Sequence, residues 1–210
     1  MKTEIIFNEI GRGTTRILLV QGLGWKIEPG SGAELTIDGI TRPFSFCNSP
    51  DSMIRDVPDG EFGSRIAKLT DGDEIDLAGY FHFFRVGGIA TEENPIYVFT
   101  TGVGIAPFLC GLQARTFKPT KIFYGAKTCA DLTNRDCLKG IDIVRFTSRE
   151  EVPHARHGRI DAAVTPDIID PNARYFLCGL TDMVTSVSNA LVEQGVAYDQ
   201  ISSELFYMKS

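Results

Sequence analysis

The most constraining stretch of this sequence runs from Ile96 to Leu109, Ile-Tyr-Val-Phe-Thr-Thr-Gly-Val-Gly-Ile-Ala-Pro-Phe-Leu. A short apolar run ends at Thr100 and Thr101, Gly102 and Gly104 follow one residue apart, and beyond Pro107 an apolar helical pattern takes over. The spacing predicts a strand, a tight turn and a helix N-terminus, with Ile105 and Pro107 in the first helical turn. Such a turn binds phosphate, because unpaired N–H groups and the helix dipole both point at it. Glycine at 102 and 104 leaves room for a pyrophosphate beside the backbone. Pro107 loses nothing in a first turn, where its missing N–H has no partner to serve. Gly-x-Gly-x-x-Pro is not the Gly-x-Gly-x-x-Gly dinucleotide fingerprint. In isolation it also reads as an ordinary strand-to-helix turn, so the flanking sequence decides.

Downstream, strands and helices alternate. Strands are expected at Ile96–Thr100, Lys121–Gly125, Asp142–Phe146, Arg174–Cys178 and Ile201–Tyr207. Helices are expected at Ile105–Ala114, around Ala130–Lys139, near Ile160–Thr165 and at Thr181–Glu193, the last stopped by Gly195. This is the pattern of an α/β doubly wound, five-stranded parallel sheet, whose ligands bind beyond the carboxyl ends of the strands. Three of those ends carry small or reactive residues: Thr101-Gly102, Gly125 and Cys178-Gly179. Upstream the texture differs. Ile5–Ile10, Arg16–Gln21, Ala33–Asp38 and Glu74–Ala78 are β-rich runs. Gly11, Gly13, Gly22, Gly24, Pro29, Gly30 and Gly32 punctuate them, which suggests a small antiparallel barrel or sandwich. The change falls at Glu92-Glu93-Asn94-Pro95, giving domains at 1–93 and 94–210.

Composition excludes several classes. A hydrophobic fraction of 43% and a charged fraction of 23% are those of a globular protein. No apolar run approaches the ~20 residues of a membrane span, and the N-terminal segment reads as a strand, not a signal peptide. A net charge of −6 argues against general nucleic-acid binding. The five cysteines form no Cys-x-x-Cys pair, which suits free thiols in a reducing cytoplasm and argues against a cysteine-held iron–sulfur cluster. His154 and His157 read as solvated loop residues, and no metal is expected.

Arg42-Pro43-Phe44-Ser45, followed by Phe46-Cys47-Asn48-Ser49-Pro50-Asp51, lies late in the β-rich half. On a strand Arg42 and Phe44 share a face and Ser45 takes the other. In sequence order come Pro58-Asp59-Gly60-Glu61-Phe62-Gly63-Ser64, the glycine turn, Cys178-Gly179 with Met183, and Glu204-Leu205-Phe206. Together these motifs resemble those of the ferredoxin/flavodoxin–NADP reductases, FAD-dependent oxidoreductases of bacterial type. Arg42-x-Phe44-Ser45 is similar to that family's flavin motif, Thr101 to Pro107 to its nicotinamide-dinucleotide loop, and the last two to its Cys-Gly-x-x-x-Met and terminal Glu-x-aromatic motifs.

The resemblance implies an antiparallel FAD-binding β-barrel followed by the NADP-binding α/β domain, with the flavin between them. Arg42 is implied to pair with flavin phosphate, Pro43 to belong to the cofactor-binding set, Phe44 to pack on the isoalloxazine, and Ser45 to bond flavin N5. Gly60, Gly63 and Ser64 are implied to hold the flavin pyrophosphate, although an extra residue separates Gly60 from Ser64. Thr101, Gly102, Gly104, Ile105 and Pro107 would hold the NADP pyrophosphate. Cys178 and Gly179 would sit beside the nicotinamide, Glu204 near the flavin as a tuning or proton-relaying carboxylate, and Phe206 or Tyr207 over the flavin face. Without the resemblance, Cys178 reads as a buried small apolar residue. Thr147-Ser148-Arg149-Glu150 and Gly158-Arg159-Ile160 resemble segments that recognise the 2′-phosphate, so Ser148, Arg149 and Arg159 favour NADPH over NADH.

The function implied is hydride transfer from NADPH to FAD N5, with electrons leaving to an external ferredoxin or flavodoxin. Two alternatives stand beside it. One is an NAD(P)H-dependent flavin reductase or the reductase subunit of an oxygenase or other complex. The other, from a different class, is a non-catalytic NADP-binding module.

Overall fold

The computed structural model describes residues 2–8, 15–20, 27–47, 51–55, 60–66, 68–82, 85–133 and 136–206. Gly11, Gly13, Gly22, Gly24, Asn48, Ser49, Pro50, Pro58, Asp59, Tyr207 and the ring of Phe206 lie outside the described residues. The first half is built from β1 (Lys2–Asn8), β2 (Thr15–Val20), β3 (Ser31–Ile37), β4 (Ile40–Ser45), β5 (Asp51–Arg55), the single-turn helix α1 (Gly63–Ile66) and β6 (Glu74–His82). These strands form one antiparallel sheet in the order β4-β3-β6-β1-β2-β5. Its two end strands, β4 and β5, come into contact, so the sheet curls toward a barrel. Period-two alternation sets its inside. Ala33, Leu35 and Ile37 of β3 are buried while Glu34 and Thr36 lie at the periphery. With Phe46, Phe62, Ile66, Ile75 and Leu77 they form the core of this domain.

The second half contains β7 (Gly88–Ile89), β8 (Ile96–Thr101), α2 (Ala106–Gln113), β9 (Phe117–Lys118), β10 (Lys121–Ala126), β11 (Ile143–Thr147), β12 (Arg156–His157), β13 (Arg174–Leu180), α3 (Thr181–Glu193) and β14 (Ile201–Phe206). Six of these strands make a parallel sheet in the order β12-β11-β10-β8-β13-β14. The five strands expected from sequence are joined by the two-residue β12, too short to show any periodicity. Alternate residues of the central strands feed two separate cores. Val98, Ile122, Phe176 and Cys178 pack with Phe108 and Leu109 of α2. Phe99, Phe123, Tyr175 and Leu177 pack with Met183, Val184, Val187 and Leu191 of α3. Helices on both faces make the sheet doubly wound.

Among the described residues, two expected helices are reduced to short 3-10 segments. Residues 130–139 carry short 3-10 turns at Cys129–Asp131 and Asp136–Leu138. The Asp131 N–H donates to Thr128 O at 3.2 Å and the Leu132 N–H to Cys129 O at 3.1 Å, i→i+3 bonds that close a short turn rather than an α-helix, and Thr128 Oγ1 donates to Asp131 Oδ2 at 2.9 Å across it. Near residue 160 the chain makes 3-10 turns at Ile160–Ala163 and Pro166–Ile168, since Pro166 disfavours a helical residue before it.

Helix α2 ties the halves together. Every residue from Ala106 to Leu112 is buried, as expected for a helix covered on all sides. The Gly30 N–H donates to Pro107 O at 3.2 Å. A side chain at Gly111 would collide with Phe117 and press on Pro29.

Candidate functional site

The register of the parallel sheet builds the site. Glu204 of β14 lies opposite Cys178 of β13, Cys178 opposite Thr100 of β8, and Thr100 opposite Tyr124 of β10. In-register neighbours on a pleated sheet project to one face. The four therefore form a row across the sheet, and all four are buried.

At one end the row meets the antiparallel domain. Ser45, buried at the end of β4, donates to Glu204 Oε1 at 3.2 Å, and the Cys178 thiol donates to Oε2 at 3.8 Å. Burial raises the Glu204 carboxyl from 4.5 to about 7, against the opposing pull of the hydrogen bonds from Ser45 and Cys178. Burial, and then the adjacent carboxylate, push the Cys178 thiol well above its ordinary value. A carboxyl that changes charge near neutrality, a neutral thiol and a hydroxyl thus converge where the two halves meet.

At the other end the row meets the glycine turn. Strand β8 runs through Thr101 directly into a 3-10 turn, Gly102–Ile105, and then into α2 with Pro107 in its first turn. The Tyr124 hydroxyl donates to Gly102 O at 3.1 Å and accepts from the Thr133 N–H at 3.1 Å. Burial pushes this phenol well above the ordinary tyrosine value, so it remains a fixed neutral donor. A Cβ on Gly104 would overlap the Cys178 carbonyl oxygen and lie 2.8 Å from its carbon. Gly104 is therefore also required for close packing of the turn on β13, whereas a Cβ at Gly102 would meet open space. Thr100 and Thr101 each bury a hydroxyl without a hydrogen-bond partner.

The other sequence motifs also come together in part. Arg42 donates to Thr41 O at 2.8 Å, and its guanidinium stands 3.9 Å from Glu61. The ring of Phe44 lies 5.4 Å from that of Phe62. The Arg42–Ser45 strand and the Gly60–Ser64 turn are thereby adjacent. Pro43 is exposed. Ser64 is turned inward to its own segment: its N–H bonds to Gly60 O at 2.8 Å and its hydroxyl to Glu61 O at 3.1 Å. Ser148 and Arg149 are exposed at the carboxyl end of β11, the same sheet edge as Gly102. Arg159 is tied to Asp161 at 3.3 Å and to Ser186 at 3.1 Å.

Sequence reasoning passed over Thr100, Tyr124, Glu61 and Phe62. Tyr124 carried a usable signal, because a tyrosine in an otherwise apolar central strand must find a partner for its hydroxyl. The pairing of Arg42 with Glu61 had no signal, since it depends on how two distant segments meet. His154 and His157 are exposed, as expected, and also contact Cys129 Sγ and Glu150 O respectively.

No protein-family model matches the chain. It is 27% identical over 213 residues to the reductase component of propane 2-monooxygenase from Mycolicibacterium goodii, a match covering 85% of this chain and 60% of that protein. It is 27% identical over 179 residues to the flavodoxin/ferredoxin–NADP reductase of Shigella flexneri, covering 73% of this chain and 72% of that one. Its fold superposes with a TM-score of 0.79 on a ferredoxin–NADP+ reductase from Neisseria gonorrhoeae with bound FAD and NADP, at 20% identity and 98% coverage of both chains. The second, shorter match agrees with the motif order found in the sequence: the chain is similar to the flavodoxin/ferredoxin–NADP reductases, and it has the two-domain fold of the Neisseria gonorrhoeae reductase.

Proposed function

We propose that the chain is a flavoprotein oxidoreductase that passes electrons between NADPH and a ferredoxin or flavodoxin through bound FAD. Residues 1–93 would be the FAD-binding domain and residues 94–210 the NADP-binding domain. The observation that carries this reading is the Ser45–Glu204–Cys178 contact, which gathers three polar groups from two sheets into one buried junction.

The residues present fit both cofactors. The half-buried Arg42 guanidinium keeps donors for a phosphate, since its contact with Glu61 at 3.9 Å is loose. Phe44, backed by Phe62, offers an apolar wall for an isoalloxazine ring. Open space at Gly102 leaves backbone accessible to a pyrophosphate, and the unpartnered Thr100 and Thr101 hydroxyls hold unused polar capacity behind the turn. Exposed Ser148 and Arg149 suit a 2′-phosphate.

Bound flavin would supply hydride acceptance at its N5. The chain's own residues would orient and protonate. Ser45 holds its hydroxyl at the junction between the halves. Glu204, titrating near 7, can hold or release a proton at neutral pH. Cys178 stays protonated and presents a neutral, polarisable surface rather than a nucleophile. Tyr124 fixes the glycine turn, and α2 with the 27–30 segment excludes water from behind it. The five free thiols suit a reducing cytoplasm. Among the described residues no helix is long and apolar enough to cross a membrane.

The test is anaerobic titration of the purified protein with NADPH and with NADH, read by flavin absorbance. A protein without absorbance near ~450 nm that also fails to take up FAD overturns the reading and leaves the binding-module alternative. A second reading, a reductase component of an oxygenase or a free-flavin reductase, is favoured by the propane monooxygenase component, whose match covers more of this chain than the reductase of Shigella flexneri does. Stopped-flow reoxidation with a panel of acceptors separates the two. Fast turnover with free FMN and none with ferredoxin selects the second.

A further inference from the structure

The crossover after β10 and the loop after β11 leave one sheet edge side by side. The Ser148 N–H donates to Ala126 O at 3.1 Å and the Arg149 N–H to Lys127 O at 3.0 Å. Just beyond, Cys129 Sγ lies 2.9 Å from His154 Nε2. The Cys129 N–H donates to the Glu150 carboxylate. The Glu150 carbonyl accepts from the Thr147 hydroxyl at 2.8 Å and stands 3.0 Å from His157 Nδ1. Glu150 thus anchors the residue that carries the thiol to the loop that carries Arg149. Cys129 is half-buried and His154 exposed, whereas Cys47, Cys110 and Cys178 are buried. A reachable thiol against an imidazole is a nucleophile with its base in place. None of this belongs to the Ser45–Glu204–Cys178 junction.

We propose that Cys129 and His154 form a thiol-exchange site for low-molecular-weight disulfides of the glutathione type, and that the mixed disulfide formed there obstructs the adjoining seat at Ser148 and Arg149. The imidazole takes the thiol proton as Sγ attacks one sulfur of the incoming disulfide. The new S–S bond forms as the old one breaks, and the departing thiolate recovers the proton from the imidazolium. One protein thiol and one disulfide become one mixed disulfide and one free thiol, with no other oxidant or reductant. The exchange stands on the Cys129–His154 geometry alone. The obstruction rests on the proposed placement of the NADP 2′-phosphate at Ser148 and Arg149.

The experiment incubates the full chain with glutathione disulfide and maps the added mass by peptide. Addition at Cys129 is expected to outpace that at half-buried Cys137, to vanish in Cys129→Ser, and to slow about tenfold or more in a folded His154→Gln variant. Equal rates in the parent and His154→Gln, or at Cys129 and Cys137, overturn the exchange site. The modified protein should also show a several-fold higher KM for NADPH, an unchanged KM for NADH, and recovery with dithiothreitol. An unchanged NADPH KM, in a protein where Arg149→Ala does raise it, overturns the obstruction. If Arg149→Ala itself leaves the NADPH KM unchanged, the cofactor placement has failed and the obstruction falls with it, while the exchange is still decided by the mass data.

Discussion

Ser45, at the end of β4, donates a 3.2 Å hydrogen bond to Glu204 on β14, across 159 residues of sequence and between the two sheets. Because Glu204 is buried, this contact is tied to both pH and stability. The folded carboxyl titrates at about 7 against 4.5 when solvated. A carboxyl that holds its proton more tightly in the folded state makes stability fall as pH rises from its unfolded value to its folded one, and no further above that. Glu204 should therefore cost the fold on the order of 3 kcal/mol at most between about pH 4.5 and pH 7. Glu204→Gln removes the titration. Urea unfolding at pH 5 and pH 8 should show the variant gaining on the parent at the higher pH; an identical difference at both would disprove the assignment.

Two glycines in the same turn should behave differently. Gly104→Val drives a side chain into the Cys178 carbonyl. Overpacking of that kind costs about 1–3 kcal/mol and displaces the turn from β13. Gly102 has φ +53° with open space around it, so Gly102→Ala carries only the left-handed backbone cost of about 1–2 kcal/mol. Thermal melts should rank the variants in that order. Gly104→Val should abolish reduction by NADPH while the protein stays yellow, and loss of the flavin instead would mean that the turn serves the other cofactor.

The parts of this site that could be read from sequence are those set by local rules. The strand–turn–helix at 96–109 follows from an apolar run, two glycines and a proline. Arg42, Phe44 and Ser45 follow strand alternation. The parts that could not be read depend on register between strands distant in sequence. Nothing near Thr100 announces that it lies between Tyr124 and Cys178. The segment 130–139 misled because its backbone closes short turns at Thr128–Asp131 and Cys129–Leu132 instead of a continuous helix. Cys129 and His154 meet only because two crossovers leave the same edge.

Tyr124→Phe should loosen the glycine turn without touching its sequence. The hydroxyl serves Gly102 O and the Thr133 N–H, and deleting it leaves both without that partner. A loss of about 1–3 kcal/mol in stability follows. If Gly102 holds the dinucleotide pyrophosphate, KM for NADPH should rise several-fold while kcat changes little. Steady-state kinetics with NADPH, beside a denaturant melt, checks both. A fall in kcat at constant KM would instead place Tyr124 at the chemical step.

Arg42 and Glu61 separate a role in ligand binding from one in folding. Their side chains are 41% and 66% exposed and 3.9 Å apart, a geometry in which an ion pair contributes about 0–1 kcal/mol. Arg42→Ala should therefore leave the melting temperature of the flavin-free protein nearly unchanged. It should weaken FAD binding about tenfold or more, since a charge-assisted bond to phosphate contributes roughly twice what a neutral one does. Glu61→Gln should do the reverse, freeing the guanidinium and tightening FAD. Quenching of flavin fluorescence on titration into the apo-protein measures both affinities. If Arg42→Ala and Glu61→Gln both weaken FAD equally, the pair is part of the turn's architecture, and the phosphate lies elsewhere.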